Sequence, residues 1–99
     1  MIIIAGEIRV GEPDVGRARD AAIIAMKATA KEEGCRVYRF TTDLSDPTLF
    51  TVYEEWDSAE HLAAHFRQPH LAAFRETLSK LDIKSRELRK FEAGPPQPL

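Results

Sequence analysis

Hydrophobic positions recur along this chain with two different periods. Ile2–Val10 is rich in β-branched residues and stops before Gly11 and Pro13, which predicts a strand. One parity carries Ile2, Ile4, Gly6, Ile8 and Val10. The other begins with Ile3 and Ala5 and turns charged at Glu7 and Arg9, so both faces are apolar near the start of the strand. The spacing then becomes helical. Val15, Ala18, Ala22, Met26 and Ala30, widened by Ile23, form an inward stripe on a helix that Asp14 should cap and that should run to about Glu33. Gly34 suits the stop, because glycine accepts the left-handed conformation. Glu32 and Glu33 fall at the negative end of that helix, at a cost of roughly a few tenths of a kcal/mol, which Lys31 and Arg36 can offset.

Cys35–Asp43 reads as a second strand, Leu44–Thr48 as a turn built on Ser45, Asp46 and Pro47, and Leu49–Trp56 as a third strand. Their closeness in sequence predicts an antiparallel hairpin. Asp57 is placed to cap a second helix, with Glu60 completing a capping-box pattern, and Leu62, His65 and Phe66 share its face. Pro69 interrupts that helix. Leu71, Phe74, Leu78 and Leu81 then continue at helical spacing. Ile83–Glu92 is a last strand, heavily charged in the manner of a protected edge. The order β-α-β-β-α-β is ferredoxin-like, an α+β fold with helices on one face of a four-stranded antiparallel sheet. It should occupy residues 1–93, with 94–99 a proline-rich tail. Tyr38, Phe40, Phe50, Val52, Tyr53 and Trp56 are expected to spread over both sheet faces, leaving an apolar face that a lone domain rarely exposes. This predicts a homodimer with two sheets packed face to face.

Composition narrows the class. The chain has 99 residues, 14 basic and 16 acidic, a net charge of −2 and one cysteine. That is one domain with a modest core, no internal disulfide, and no basic excess to attract nucleic acid. No run of about 20 apolar residues suggests a membrane span, and no export signal stands at the start, so a cytoplasmic protein is expected. The near-neutral balance suits a small, mostly apolar ligand better than a polyanion.

Glu33-Gly34-Cys35, Tyr38, Glu54-Glu55-Trp56-Asp57-Ser58, His65, Pro69-His70 and Phe74 occur in an order and spacing that resemble the antibiotic biosynthesis monooxygenase domain family. The resemblance covers roughly residues 1–92 and is strongest to small bacterial proteins of the quinol monooxygenase type. It implies a dimeric α+β barrel with a pocket between helices and sheet in each subunit. It also implies oxidation of a phenolic or quinol compound by O₂ with no metal, flavin or other cofactor. A haem-degrading branch of the superfamily uses a first-strand asparagine and a helical histidine. Here those positions hold Glu7 and, approximately, Arg75, so haem binding is the weaker alternative. A non-catalytic, dimeric small-ligand module is the other.

His65 is the candidate catalytic base. A neutral imidazole can take the proton of a phenol or quinol, and the anion reduces O₂ far more readily than its neutral form. The competing role is a core histidine bonded to a backbone carbonyl or to Glu54. Tyr38, Phe40, Trp56, Leu62, Phe66 and Phe74 are the candidate substrate-binding residues, with ordinary packing the alternative for each. Tyr53 is able to donate a hydrogen bond but suits sheet packing. His61 and His65, four apart, have metal-ligand spacing without a third ligand nearby. His70 should cap the third helical segment or face solvent. Cys35, beside Glu32 and Glu33, should be a buried thiol with a raised pKa.

Overall fold

The β-branched and aromatic runs become four strands, and the alanine- and leucine-rich segments become helices packed over one face of them. The computed structural model describes residues 1–99. In chain order it comprises β1 (Ile2–Val10), a 3₁₀ turn (Glu12–Asp14), α1 (Val15–Thr29), β2 (Cys35–Thr42), β3 (Leu49–Trp56), α2 (Ala59–Phe66), α3 (Pro69–Ser79) and β4 (Ile83–Glu92). The sheet is antiparallel throughout, in the order β2-β3-β1-β4, which is the ferredoxin-like arrangement. Residues 94–99 lie outside any helix or strand.

Register assigns each side chain to a face. Tyr38, Glu54, Ile4 and Lys90 form one row across the sheet. Phe40, Val52, Gly6 and Leu88 form the next, and Thr42, Phe50, Ile8 and Arg86 the third. Ile2, Ile4, Ile8, Val10, Phe50, Val52 and Trp56 on this face are buried. The expected spread of aromatic residues over both faces does not occur. Tyr38, Phe40, Phe50 and Trp56 share the core-side face with Val52, and of the six only Tyr53 projects from the other. A β-strand alternates strictly, so pairing Tyr38 with Glu54 commits the whole set.

Gly6 is required by a close approach. A Cβ there would stand 1.9 Å from the carbonyl oxygen of Glu87, so β4 can pack against β1 only because glycine lacks one.

α1 turns Ala18, Ala22, Ala25 and Thr29 inward. Ile23 does not widen this stripe but is 38% exposed, and Ala30 is also exposed, because the buried series runs through Ala25 and Thr29 instead. The helix ends at Thr29, four residues short of the expected Glu33. The chain then turns through Gly34, whose φ of 81° lies in the left-handed region. Asp14 does precede α1, but its carboxylate serves the tertiary structure: it accepts from the backbone N–H of Asp82 at 2.8 Å and pairs with Arg17. At α2 the cap is Ser58, not Asp57. Ser58 Oγ accepts from His61 N, while Asp57 pairs with Arg36. Pro69 opens α3 at its first position, where a missing N–H costs nothing.

A Cβ on Gly34 would lie 2.2 Å from the His61 ring. Gly34→Ala is therefore expected to destabilise the protein by about 1–3 kcal/mol, the sum of a left-handed alanine and a clash. Urea unfolding of the two proteins measures it, and equal midpoints would contradict the expectation.

Candidate active site

Three elements converge on one carboxylate. The turn after α1 swings Glu32 inward until its side chain is only 9% exposed. His65, near the end of α2, brings Nδ1 to 2.7 Å from Glu32 Oε2. His70, in the first turn of α3, brings Nε2 to 2.7 Å from the same oxygen. A carboxylate only accepts, so both ring nitrogens donate. This fixes His65 in the tautomer protonated on Nδ1 and leaves its Nε2 lone pair for a ligand. The same shared carboxylate removes two of the sequence-based expectations. The partner of His65 is Glu32, not Glu54, and His70 neither caps α3 nor simply faces solvent.

Aromatic rings surround His65, which is 2% exposed. Trp56 lies with its ring centroid 4.7 Å away and Tyr38 at 5.2 Å, edge-on. Burial lowers the His65 pKa below its ordinary 6.5, and the Glu32 hydrogen bond opposes that shift. The imidazole is thus neutral at pH 7 and able to take a proton. Beside it, burial pushes Glu54 up to about 7, with Glu32 adding to the rise and the Trp56 N–H resisting it. Trp56 Nε1 donates to Glu54 Oε1 at 2.9 Å, which satisfies an indole that is wholly buried. Tyr38 is held as a neutral hydroxyl, raised first by burial and then by Glu54 and Glu32. Cys35 is half-buried rather than buried, and desolvation, then Glu32 and Glu54, push its thiol up to about 11. It is not a nucleophile at neutral pH.

His65, Glu54 and Tyr38 border a cavity of about 600 Å³ between the sheet and α2–α3. Its walls include Tyr38, Phe40, Leu62, His65, Phe66 and Phe74, so six of the seven residues singled out from sequence meet at one space. Trp56 is the exception. It packs behind His65 with Ile2, Ile4 and Leu62 and does not reach the cavity. Glu32, Glu54 and Arg75 are not among those seven, although the sequence offered Glu54 as a partner for His65. Glu54 shares a strand parity with Phe50 and Trp56, a signal that could have found it. Glu32 had none, because its role depends on where the chain turns.

His61 and His65 do not form a metal pair, since His61 Nδ1 lies 2.8 Å from Ser58 Oγ. Glu32, His65 and His70 do place three donor atoms within 4.8 Å of one another, a set that could hold a divalent cation only by giving up both shared hydrogen bonds.

The sequence profile of the antibiotic biosynthesis monooxygenase family matches residues 1–77. Probable quinol monooxygenase YgiN of Escherichia coli is 28% identical over 95% of this chain and 99% of its own length. A Deinococcus radiodurans structure named for the same family superposes with a TM-score of 0.91 at 25% identity, over 100% of this chain and 98% of that one. A Bacteroides thetaiotaomicron protein of unknown function, described as a possible oxidoreductase, is 31% identical with a TM-score of 0.84, over 93% and 96%.

Glu54 also has a measurable effect on stability. With its pKa raised from 4.5 to about 7, the folded state keeps a proton that the unfolded chain loses, so stability falls as pH rises through that window. Glu54→Gln retains an acceptor for Trp56 and cannot ionise. It should be more stable than the parent by about 1–3 kcal/mol at pH 8 and equal to it at pH 4. Urea unfolding at the two pH values checks this, and a pH-independent difference would refute it.

Proposed function

The chain belongs to the antibiotic biosynthesis monooxygenase family, and on that premise we propose that it oxygenates a small phenol or quinol with O₂, without a metal or flavin, using His65 as the base. The observation that carries the reading is a neutral, oriented imidazole at the wall of an apolar cavity large enough for an aromatic ligand.

His65 Nε2 takes the hydroxyl proton of the bound substrate, and Glu32 stabilises the imidazolium through Nδ1–H. The substrate anion passes one electron to O₂, giving an aryloxyl radical and superoxide. Their recombination forms a carbon–oxygen bond. The resulting peroxide, protonated by His65, breaks its O–O bond as the ring C–H proton leaves. One oxygen stays on the ring as a carbonyl and the other departs as water. Phenol plus O₂ thus balances to quinone plus water, with no external reductant. Tyr38, Phe40, Leu62, Phe66 and Phe74 hold the ring and exclude water from the radical pair. Trp56 acts from behind, packed on His65 and bonded to Glu54.

We further propose that the working unit is a cytoplasmic homodimer joined through the sheet face opposite the helices. Ile3, Val37, Tyr53 and Phe91 project there, with Phe91 47% exposed.

Oxygen uptake by chelator-treated protein with a panel of hydroquinones tests the activity. His65→Ala should lower turnover by roughly 10²–10⁴-fold, and undiminished turnover would reject the base. The acid limb of the rate profile should lie below pH 6.5 because burial lowers the His65 pKa. Glu32→Gln should move that limb lower still, since Glu32 raises the same pKa. Sedimentation should give twice the 11.2 kDa chain mass, and a monomer at micromolar concentration would remove the dimer.

A further inference from the structure

The cavity wall is charged very differently from the chain as a whole. The protein carries 14 cations and 16 carboxylates, yet four cations and a single carboxylate line the cavity. The carboxylate is Glu54, buried and with its pKa pushed up to about 7. The cations are Arg75 on α3 and Arg86, Arg89 and Lys90 on β4. Arg89 is on the outward parity and pairs with Glu87. The other three side chains have no carboxylate partner: Arg75 lies 5.4 Å over the Phe66 ring, and Arg86 and Lys90 flank Leu88 on the core-side parity.

Exposure orders these groups by depth. His65, Glu54, Val52 and Ile8 are buried, whereas Arg75, Arg86 and Lys90 are exposed. The deep end is therefore apolar with two hydrogen-bonding groups, and the mouth is cationic. Lys90 stands in the same row as Glu54, two strands away across Ile4, a separation of roughly 10 Å along the floor. A neutral apolar ligand makes no use of three unpaired cations at that distance.

We infer that the site selects an aromatic anion: a ring whose hydroxyl reaches His65 and whose carboxylate or phosphate group is held at the mouth by Arg75, Arg86 and Lys90. The hydroxyl end of this assignment rests on the oxygenase reading, and the anion end does not. Arginine offers a planar fork for either group, and a lysine adds a point charge. Charge-assisted contacts at an opening also steer the ligand inward with its anionic end outward.

Calorimetric titration of the full chain under nitrogen with 2-naphthol, 6-hydroxy-2-naphthoate and 6-hydroxy-2-naphthyl phosphate tests this. At low salt at least one anion should bind about tenfold more tightly than 2-naphthol, and whichever anion binds better identifies the group. The preference should shrink at about 0.3 M salt. It should disappear in the double variant Arg86→Gln, Lys90→Gln and weaken in Arg75→Gln, with 2-naphthol affinity unchanged. These residues are exposed, so the variants should melt like the parent. Equal affinity for all three probes, no binding of either anion at millimolar concentration, or a preference that survives all three substitutions would overturn the inference. Without O₂ the measurement involves no turnover. Anion preference without oxygen uptake would sink the oxygenase reading alone, and oxygen uptake without anion preference would sink this inference alone.

Discussion

The structure around the cavity depends on one shared carboxylate. Glu32 is nearly buried, and burying a carboxylate is costly unless its oxygens are bonded. Two histidine N–H donors, from α2 and from α3, meet that need. The bond geometry ties the turn after α1 to both helices that roof the cavity, and it settles which nitrogen of His65 is free. Gly34 serves the same end. Its left-handed backbone ends the excursion after α1, and the missing side chain leaves room for the His61 ring.

A second constraint comes from the sheet. Strict alternation places the apolar strand residues that line or back the cavity, together with Glu54, on the face beneath the helices. On β4 the same alternation raises Leu88 with Arg86 and Lys90 on either side. The charged edge strand thus has two functions. It discourages pairing with a further strand, and it lends its core-side cations to the cavity mouth. Close packing at Gly6 joins this edge to the floor.

Much of this was legible in the sequence. The bounds of β1, β3 and β4, the break at Pro69 and the ferredoxin-like order follow from β-branched runs, helical spacing and a proline. His65, Tyr38, Phe40, Leu62, Phe66 and Phe74 could be selected because they are aromatic, apolar or titratable on core-facing positions. The errors share a cause. α1 was expected to reach Glu33, Asp57 to cap α2, Ile23 to point inward and Trp56 to line the cavity. Each concerns a choice between neighbouring positions that local propensity leaves nearly degenerate, and packing against a distant segment decides it.

The sequence by itself determined the period of each segment, the breaks at Gly34 and Pro69, and the chemistry available: one buried-type histidine among aromatic residues, and a net charge near zero. Only the tertiary structure decided which groups meet. Glu32 lies 33 residues from His65 and 38 from His70, and no local pattern encodes a bond at that separation. The same holds for the cations of α3 and β4, which the sequence presents as an ordinary solvated surface. Electrostatics depends on distance in space and on burial, so an overall charge of −2 coexists with a locally cationic mouth.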